Sequence, residues 1–172
     1  MATDSADTFA RPRAAAGVLF FDEQDRVMLV VPTYKDYRDI PGGYLHPGET
    51  PTQAAARETR EELGITPPIG RLLVTDWAPN QAEGDKLLFI FDGGVLSSEH
   101  RESICLAPDE LTAYEFHDVA CAYELTISRL ARRIAHGHAA RLDGTSRYLE
   151  HGRPIGWEHG KALLTGSEIP TD

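Results

Sequence analysis

Residues 43–65 read GYLHPGETPTQAAARETREELGI and carry the clearest structural signals in the chain. Thr50 and Gln53 have the spacing of a capping box, in which each side chain hydrogen-bonds the backbone of the other. Pro51 stands at the first helical position, where its missing N–H has no cost. Gly64 suits a helix end, because glycine readily adopts the left-handed conformation found there. These signals predict a helix between Thr50 and Gly64.

Three acidic residues crowd the second half of this helix, namely Glu58, Glu61 and Glu62. Residues three and four apart are helix neighbours, and each like-charged pair destabilises an exposed helix by roughly 0.2–0.5 kcal/mol. The last turn of a helix also favours cations over anions. Two explanations are open: a solvated face balanced by Arg57 and Arg60, or a bound cation that offsets the repulsion.

The positions of the small and apolar residues favour the cation. A narrow stripe that can pack on a sheet is formed by Thr52, Ala56, Thr59 and Leu63. The glutamates point to a separate face, which a cleft or an ion can approach. Three converging carboxylates suit Mg²⁺, which binds oxygen ligands, waters and substrate phosphates. Such an ion polarises a phosphoryl oxygen and acidifies a bound water, so the cluster predicts metal-assisted attack on a phosphate ester or anhydride.

Composition limits the classes of partner. The 172 residues are enough for one domain with a hydrophobic core. A formal net charge of −10 disfavours a nucleic acid polymer or an anionic membrane as a partner. It leaves a phosphorylated small molecule possible if metal ions screen the charge. No apolar run is long enough to span a bilayer. The isolated cysteines Cys105 and Cys121 favour a reducing compartment. A soluble cytoplasmic protein is therefore predicted.

The remaining elements are predicted from apolar runs. Residues 1–13 should be a flexible N-terminal tail, 14–137 the domain, and 138–172 an extension that packs on the domain or on a second subunit. A hairpin is expected from AAAGVLFF (14–21) and RVMLVV (26–31), strands from GRLLVTDW (70–77), KLLFIF (86–91) and TAYEFHDV (112–119), a helix at about 119–136, and a short strand at 146–150. This order indicates an α/β or α+β sandwich.

The spacing of residues 43–65 resembles a known family pattern. The positions Gly43, Glu49, Arg57-Glu58, Glu61-Glu62 and Gly64 fill every fixed place of the Nudix box, G-x5-E-x7-R-E-U-x-E-E-x-G-U, where U is aliphatic. Thr59 stands at one aliphatic place, and its β-branched side chain can still pack. The resemblance implies the Nudix hydrolase fold, an α/β/α sandwich around a mixed β-sheet.

The resemblance also implies a ligand set for Mg²⁺ or Mn²⁺. The side chains of Glu58, Glu61 and Glu62 would bind the ion, together with a backbone carbonyl at Gly42 or Gly43, where glycine allows close approach. Arg57 and Glu49 would orient these ligands. Glu61 or Glu62 would help to activate the attacking water, and the sequence leaves the choice open.

The family often adds one acid from outside the box. Glu115 is the first candidate because it precedes an aromatic residue in a late strand. The alternatives are Glu110, Glu102 and Glu99.

The implied reaction is hydrolysis of a nucleoside diphosphate linked to another group X, such as a (d)NTP or an ADP-ribose-like compound. Just before the box, Tyr34, Lys35, Tyr37 and Arg38 either stack on a base and contact phosphate or form an ordinary exposed loop. Trp77 belongs to the core or to the base pocket. A nucleotide-binding module without turnover is the alternative function, and a homodimer is expected because family members commonly dimerise.

Overall fold

A computed structural model of the protein describes residues 9–156. The strands are β1 (Arg13–Phe21), β2 (Val27–Pro32), β3 (Gly42–Tyr44), β4 (Leu72–Trp77), β5 (Lys86–Val95), β6 (Leu111–His117), β7 (Arg147–Glu150) and β8 (Arg153–Pro154). The helices are α1 (Pro51–Leu63), α2 (Ser98–Glu102), α3 (Ala122–Leu125) and α4 (Ser128–Asp143), with a 3₁₀ turn at Val119–Cys121. In the part of the chain that the structure describes, no helix has both the length and the apolar composition needed to cross a membrane.

All eight strands belong to one mixed sheet. Its order is β6-β2-β1-β5-β4-β7-β8, and β3 pairs with β1 beside this path. The pairs β1 with β5 and β4 with β7 are parallel, and the other pairs are antiparallel. The predicted hairpin is confirmed, but β1 and β2 are paired only where Phe21 lies opposite Val27. Farther from this point along β1, its partner is β3 instead of β2. The segment 33–41 therefore lies between β1 and β2.

The core has two halves, one on each face of the sheet. On the first face, β1 and β2 residues such as Val18 and Met28 pack with Ala54, Ala55 and Leu63 of α1. On the second face, β1 and β2 residues such as Leu19 and Leu29 pack with Leu130, Ala131 and Ile134 of α4. Successive strand residues point to opposite faces, so a central strand covered on both sides is a continuous apolar run. The predicted α/β/α sandwich with a mixed sheet is confirmed.

The predicted helix at 119–136 is wrong in its bounds. The chain forms the 3₁₀ turn and α3, becomes extended at Thr126 and Ile127, and only then begins α4. Two consecutive β-branched residues restrict χ1 and favour this extended step. The Thr126 hydroxyl donates to the carbonyl of Ala122, which satisfies a backbone acceptor at the end of α3.

The predicted end of the domain at residue 137 lies inside α4. This helix continues to Asp143 and ends at Gly144, which has a φ of +76°. The predicted strand at 146–150 is confirmed as β7, which joins the same sheet beside β4. Residues 138–156 of the expected extension therefore belong to the sheet and its covering helix. The remainder of the extension, 157–172, and most of the expected tail, 1–8, lie outside the described residues.

Candidate active site

Helix α1 begins and ends at the predicted positions. The Thr50 hydroxyl accepts from the Gln53 N–H at 3.3 Å, and the Gln53 side chain accepts from the Thr50 N–H at 2.9 Å. At the other end, Gly64 has a φ of +70° and donates its N–H to the carbonyl of Arg60. These caps fix where α1 starts and stops, and hence where its glutamates lie against the sheet.

The buried face of α1 is not the predicted stripe. Thr52 and Ala56 are exposed, whereas the buried residues are Ala54, Ala55, Thr59, Glu62 and Leu63. Glu62 is only 7% exposed, so it belongs to the face that packs on the sheet. Alanines at 54 and 55 leave room for close contact, which brings the helix backbone near the sheet. One of the three glutamates is thus buried among apolar residues, contrary to the expectation that all three share a separate face.

Arg57 is the centre of an ion-pair network. Its Nε and Nη2 donate to both carboxylate oxygens of Glu49, at 2.7 and 3.0 Å. Its Nη1 donates to Glu58 at 2.7 Å and to Glu61 at 2.8 Å, and Nη2 also reaches the Tyr44 carbonyl at 2.9 Å. The hydrogen bonds from Arg57 are the main reason that the pKa of Glu49 falls to about 2. The network holds three carboxylates and the end of β3 in fixed relative positions.

Two glycines of β3 lie directly against the glutamates. The Gly42 N–H donates to Glu62 Oε2 at 2.9 Å. A Cβ added to Gly43 would lie 2.3 Å from Glu58 Oε1, so a side chain there would displace that carboxylate. Gly42 has a φ of +149°, and a Cβ on it would lie 2.3 Å from the Ala16 carbonyl oxygen. Glycine is therefore required at both positions, because the backbone itself contacts the two carboxylates.

Burial changes the protonation of Glu62. Desolvation is the largest cause that raises its pKa to about 8, and the charges of Glu58, Asp39 and Glu110 add to it. The hydrogen bond from Gly42 acts in the opposite direction and is outweighed. In the absence of a cation, Glu62 therefore holds a proton at neutral pH.

The three carboxylates do not meet at one point in this structure. Within residues 9–156, no three Asp, Glu, His or Cys side chains form a group that could hold a metal ion. The guanidinium of Arg57 binds Glu58 and Glu61 and occupies the space where their carboxylates would converge. In this arrangement, the arginine balance that the sequence left open applies to two of the glutamates, Glu58 and Glu61.

The oxygen donors nevertheless suit a hard divalent cation. The carboxylates of Glu58 and Glu62 both lie against the Gly42–Gly43 backbone. Carboxylates and carbonyls are the ligands that Mg²⁺ binds in proteins. Glu61 can join them after leaving Arg57, because its side chain is 48% exposed and held by one ion pair.

Glu115 lies away from this region, which corrects the expected ligand set. On β6 it stands opposite Leu29, whose side chain faces α4, whereas α1 covers the other face of the sheet. Its carboxylate binds His117 at 2.9 Å and Arg38 at 3.3 Å, and these hydrogen bonds lower its pKa. Glu115 and Arg38 thus bind each other on the α4 side of the sheet, away from the box glutamates.

Among the alternative acids, Glu110 has the best position. It lies in the turn before β6 and is one of the charges that raise the pKa of Glu62. The backbone of the preceding segment also contacts the end of α1, where the Ala107 N–H donates to the Glu62 carbonyl at 3.1 Å. Glu99 and Glu102 lie in the short helix α2.

A cleft of about 460 Å³ adjoins the Gly42–Gly43 backbone. Three of the predicted substrate-binding residues, Tyr34, Lys35 and Tyr37, line it. Arg38 is turned towards Glu115, and Trp77 is not among the lining residues although the next residue, Ala78, is. The volume is in the range of small-molecule sites.

Sequence reasoning missed several polar residues of this cleft: Asp39, Lys86, Arg129 and Arg133. Asp39 accepts from Lys35 at 2.6 Å, and Lys86 donates to Glu83 at 3.0 Å and to the Tyr44 hydroxyl at 2.7 Å. Asp39, Lys86 and the two arginines come from three separate parts of the chain, and a sequence spacing connects only Arg129 with Arg133, which are four residues apart in α4. One feature of the sequence pointed to Arg133: this charged residue stands between the core residues Leu130 and Ile134 of α4.

Comparisons with known proteins agree with this geometry. A family model of the NUDIX domain matches residues 11–136. The chain is 42% identical over 64 residues to diphosphoinositol polyphosphate phosphohydrolase 2 of Rattus norvegicus, a match that covers 37% of this chain and 36% of that protein. The match thus spans about a third of the length of that curated relative.

Two solved structures share the fold. A MutT protein from Methanosarcina mazei Go1 superposes with a TM-score of 0.60 at 21% identity, over 79% of this chain and 96% of the other. A UDP-X diphosphatase superposes with a TM-score of 0.66 at 19% identity, over 86% of this chain and 75% of the other. At such identities the likeness concerns the fold alone.

Proposed function

Since the chain belongs to the NUDIX domain family, we propose that it is a divalent-metal-dependent hydrolase. Its substrate would be a small molecule in which a nucleoside diphosphate is linked to another group X. The observation that carries this proposal is the contact of Glu58 and Glu62 with the Gly42–Gly43 backbone at the edge of the cleft. This contact brings hard oxygen donors next to a space of substrate size.

Each residue of the box has a task in this proposal. Glu58, Glu62 and a carbonyl of Gly42 or Gly43 hold the cation, and Glu61 joins them by leaving Arg57. Bound Mg²⁺ or Mn²⁺ supplies neutralisation of the phosphoryl oxygens and a more acidic water. Glu62 would hold the cation in its deprotonated form, because metal ligands must be deprotonated.

The other residues position these groups. Arg57 holds Glu58, and Glu49 fixes the orientation of Arg57 through two hydrogen bonds. One of Glu61 and Glu62 takes the proton of the attacking water. The pH profiles of Glu61→Gln and Glu62→Gln, compared with that of the wild type, identify which one.

The substrate is proposed at the level of its class. The names of the relatives refer to a diphosphoinositol polyphosphate and to UDP-X, both of which contain a diphosphate bond. The cleft offers Tyr34 and Tyr37, which suit stacking against a base, and cations that suit a phosphate. A nucleoside diphosphate derivative, including a (d)NTP or an ADP-ribose-like compound, meets both features.

Turnover of a substrate panel with product identification tests this proposal. Wild-type protein with Mg²⁺ or Mn²⁺ should hydrolyse at least one nucleoside diphosphate derivative. Glu58→Gln and Glu62→Gln should each lose about a hundredfold or more of that activity, since the charge stabilisation by a bound metal is worth several kcal/mol. Glu124→Gln is the matched control, because this exposed residue of α3 undergoes the same chemical change away from the box.

Two outcomes would contradict the proposal. The first is a folded protein that releases no product from any member of the panel. The second is tight binding of a panel member by calorimetry without any product, which would identify a nucleotide-binding module instead.

A further inference from the structure

The cleft collects positive charge in a chain whose formal net charge is −10. Its lining includes four cationic side chains, Lys35, Lys86, Arg129 and Arg133, and two carboxylates, Asp39 and Glu83. Lys35 binds Asp39, and Lys86 binds Glu83. The two lysines are therefore neutralised within the cleft, and Arg133 pairs with Asp76, so Arg129 is the cleft cation without an acidic partner among residues 9–156.

Arg133 is buried and held in a fixed orientation. It is 6% exposed, and its Nε binds the carboxylate of Asp76, which is completely buried. The other oxygen of Asp76 accepts from the Gly152 N–H at 2.9 Å, so the turn between β7 and β8 holds the carboxylate in place. Asp76 thereby orients a guanidinium that borders the cleft.

The two terminal nitrogens of Arg133 are not completely buried. Within residues 9–156 they take part in none of the hydrogen bonds or ion pairs, whereas every buried side-chain nitrogen or oxygen in that range has a partner. The terminal nitrogens are therefore accessible, and the cleft is the space that this buried residue lines. They form a planar pair of donors in a residue that lines the cleft.

Arg129 lies one helical turn before Arg133 and on the same face of α4. Its side chain makes no hydrogen bond or ion pair with any residue between 9 and 156. A second cation at this spacing is repelled by the first, and the first turn of a helix disfavours cations. Asp76 reduces the repulsion by pairing with Arg133, whereas Arg129 itself has no ion-pair partner among residues 9–156.

The β7–β8 turn keeps the first turn of α4 in place. A Cβ on Gly152 would lie 2.7 Å from the Arg129 carbonyl oxygen, so the two backbones are in direct contact. The guanidinium of Arg132 adds a hydrogen bond of 2.7 Å to the His151 carbonyl. Arg129, which has no ion-pair partner among residues 9–156, and the outer donors of Arg133 are thus presented on a supported part of the fold, which is the arrangement of a preorganised anion site.

We propose that Arg129 and Arg133 form a phosphate-binding subsite at the α4 side of the cleft. The ligand is a phosphate monoester, because guanidinium groups bind phosphate oxygens in pairs and the three oxygens of a terminal phosphate can accept from both arginines. The subsite itself stands on the cleft geometry. The identification of its ligand as a phosphate on the X group, separate from the diphosphate at the box, rests on the proposed function.

Binding measured without metal tests the subsite independently of catalysis. Calorimetry in EDTA, with inorganic phosphate and with ribose 5-phosphate as probes, should detect binding to the wild-type protein and no binding of ribose. Arg129→Gln should weaken both probes about tenfold or more, as expected for loss of a charge-assisted hydrogen bond. Glu62→Gln should bind both probes at least as well as the wild type. A failure of the proposed hydrolase activity would therefore not affect this result.

Arg141→Gln is the matched control. It removes the same charge from the same helix, but Arg141 binds Asp25 at 2.8 Å and does not line the cleft. Its affinity for both probes should equal that of the wild type. The proposal is overturned if Arg129→Gln binds the probes as tightly as the wild type, or if Arg141→Gln loses as much affinity as Arg129→Gln.

A double variant tests Arg133 without leaving its partner unpaired. Asp76→Asn combined with Arg133→Gln removes both buried charges, and thermal unfolding shows whether the variant is folded. A folded double variant should also bind inorganic phosphate about tenfold or more weakly. Unchanged affinity in that protein would remove Arg133 from the subsite and overturn the proposal.

Discussion

Replacing Glu62 by glutamine is expected to stabilise the metal-free protein even though the change removes a proposed metal ligand. Glu62 has a pKa of about 8 in the fold against an ordinary value of 4.5. Each pKa unit is worth about 1.4 kcal/mol, so the ionised side chain destabilises the folded state by roughly 3–5 kcal/mol above pH 8. Glutamine has nearly the same shape, can accept from the Gly42 N–H, and carries no charge.

The sign of the effect follows from the two pKa values. Below pH 4.5, Glu62 is protonated in both states and the variant should differ little from the wild type. Between 4.5 and about 8, the unfolded chain releases the proton while the folded chain retains it, so the wild type loses stability as the pH rises. Above pH 8 both states are ionised, and the advantage of the variant should stay constant.

Urea denaturation in EDTA at a series of pH values between 4 and 9 measures this difference. Glu61→Gln is the control, because it removes the same charge from a side chain that is 48% exposed. Loss of its exposed ion pair should change the free energy of unfolding by no more than about 1 kcal/mol. If Glu62→Gln is less stable than the wild type at pH 8, or if the difference between them does not grow with pH, the burial argument is wrong.

Three further substitutions have expected outcomes. Gly42→Ala should lower the free energy of unfolding by about 2 kcal/mol or more, measured by denaturation, because the new Cβ would lie 2.3 Å from the Ala16 oxygen at a strained φ. Asp76→Asn should lower the free energy of unfolding by roughly 3–5 kcal/mol, because it leaves buried Arg133 unpaired, and adding Arg133→Gln should restore most of this loss. Additive losses in the double-mutant cycle would contradict the pairing. Arg57→Lys should lower kcat by roughly tenfold or more while leaving far-UV circular dichroism unchanged, because lysine cannot provide the same fork of donors; an unchanged kcat would refute the orienting role.

Helix α1 was predictable because its signals are local. The cap at Thr50, Pro51 and the left-handed Gly64 act within a few residues of the chain, and the structure contains each of them. Six of the strands were predictable for a similar reason, since a short apolar run bounded by polar turns has few alternatives. The short strands β3 and β8 were not predicted. The break at Thr126 was missed because apolar residues continue through it, and periodicity does not detect a short extended step.

The contacts of the glutamates were less predictable than their spacing. The helical wheel identified Glu58, Glu61 and Glu62 as neighbours, but it cannot say which of them faces the sheet. Burial of Glu62 follows from close packing of Ala54 and Ala55, which depends on the position of β1 and β3. The arginines of the cleft were missed for the same reason, since only the folded sheet brings α4 beside the segment 33–41.

The structure also bears on whether an arginine or a bound cation balances the negative charge of the glutamates in α1. Arg57 balances Glu58 and Glu61, while Glu62 avoids repulsion by holding a proton. A cation must therefore overcome two costs: separation of the exposed Arg57–Glu61 pair, worth about 0–1 kcal/mol, and deprotonation of Glu62, worth about 1.4 kcal/mol at pH 7 for a pKa near 8. Both are small beside the attraction of a divalent ion for carboxylates in a partly buried site. The ion pairs of Arg57 are thus compatible with metal binding, because they keep Glu58 against the glycine backbone and leave Glu61 easy to release.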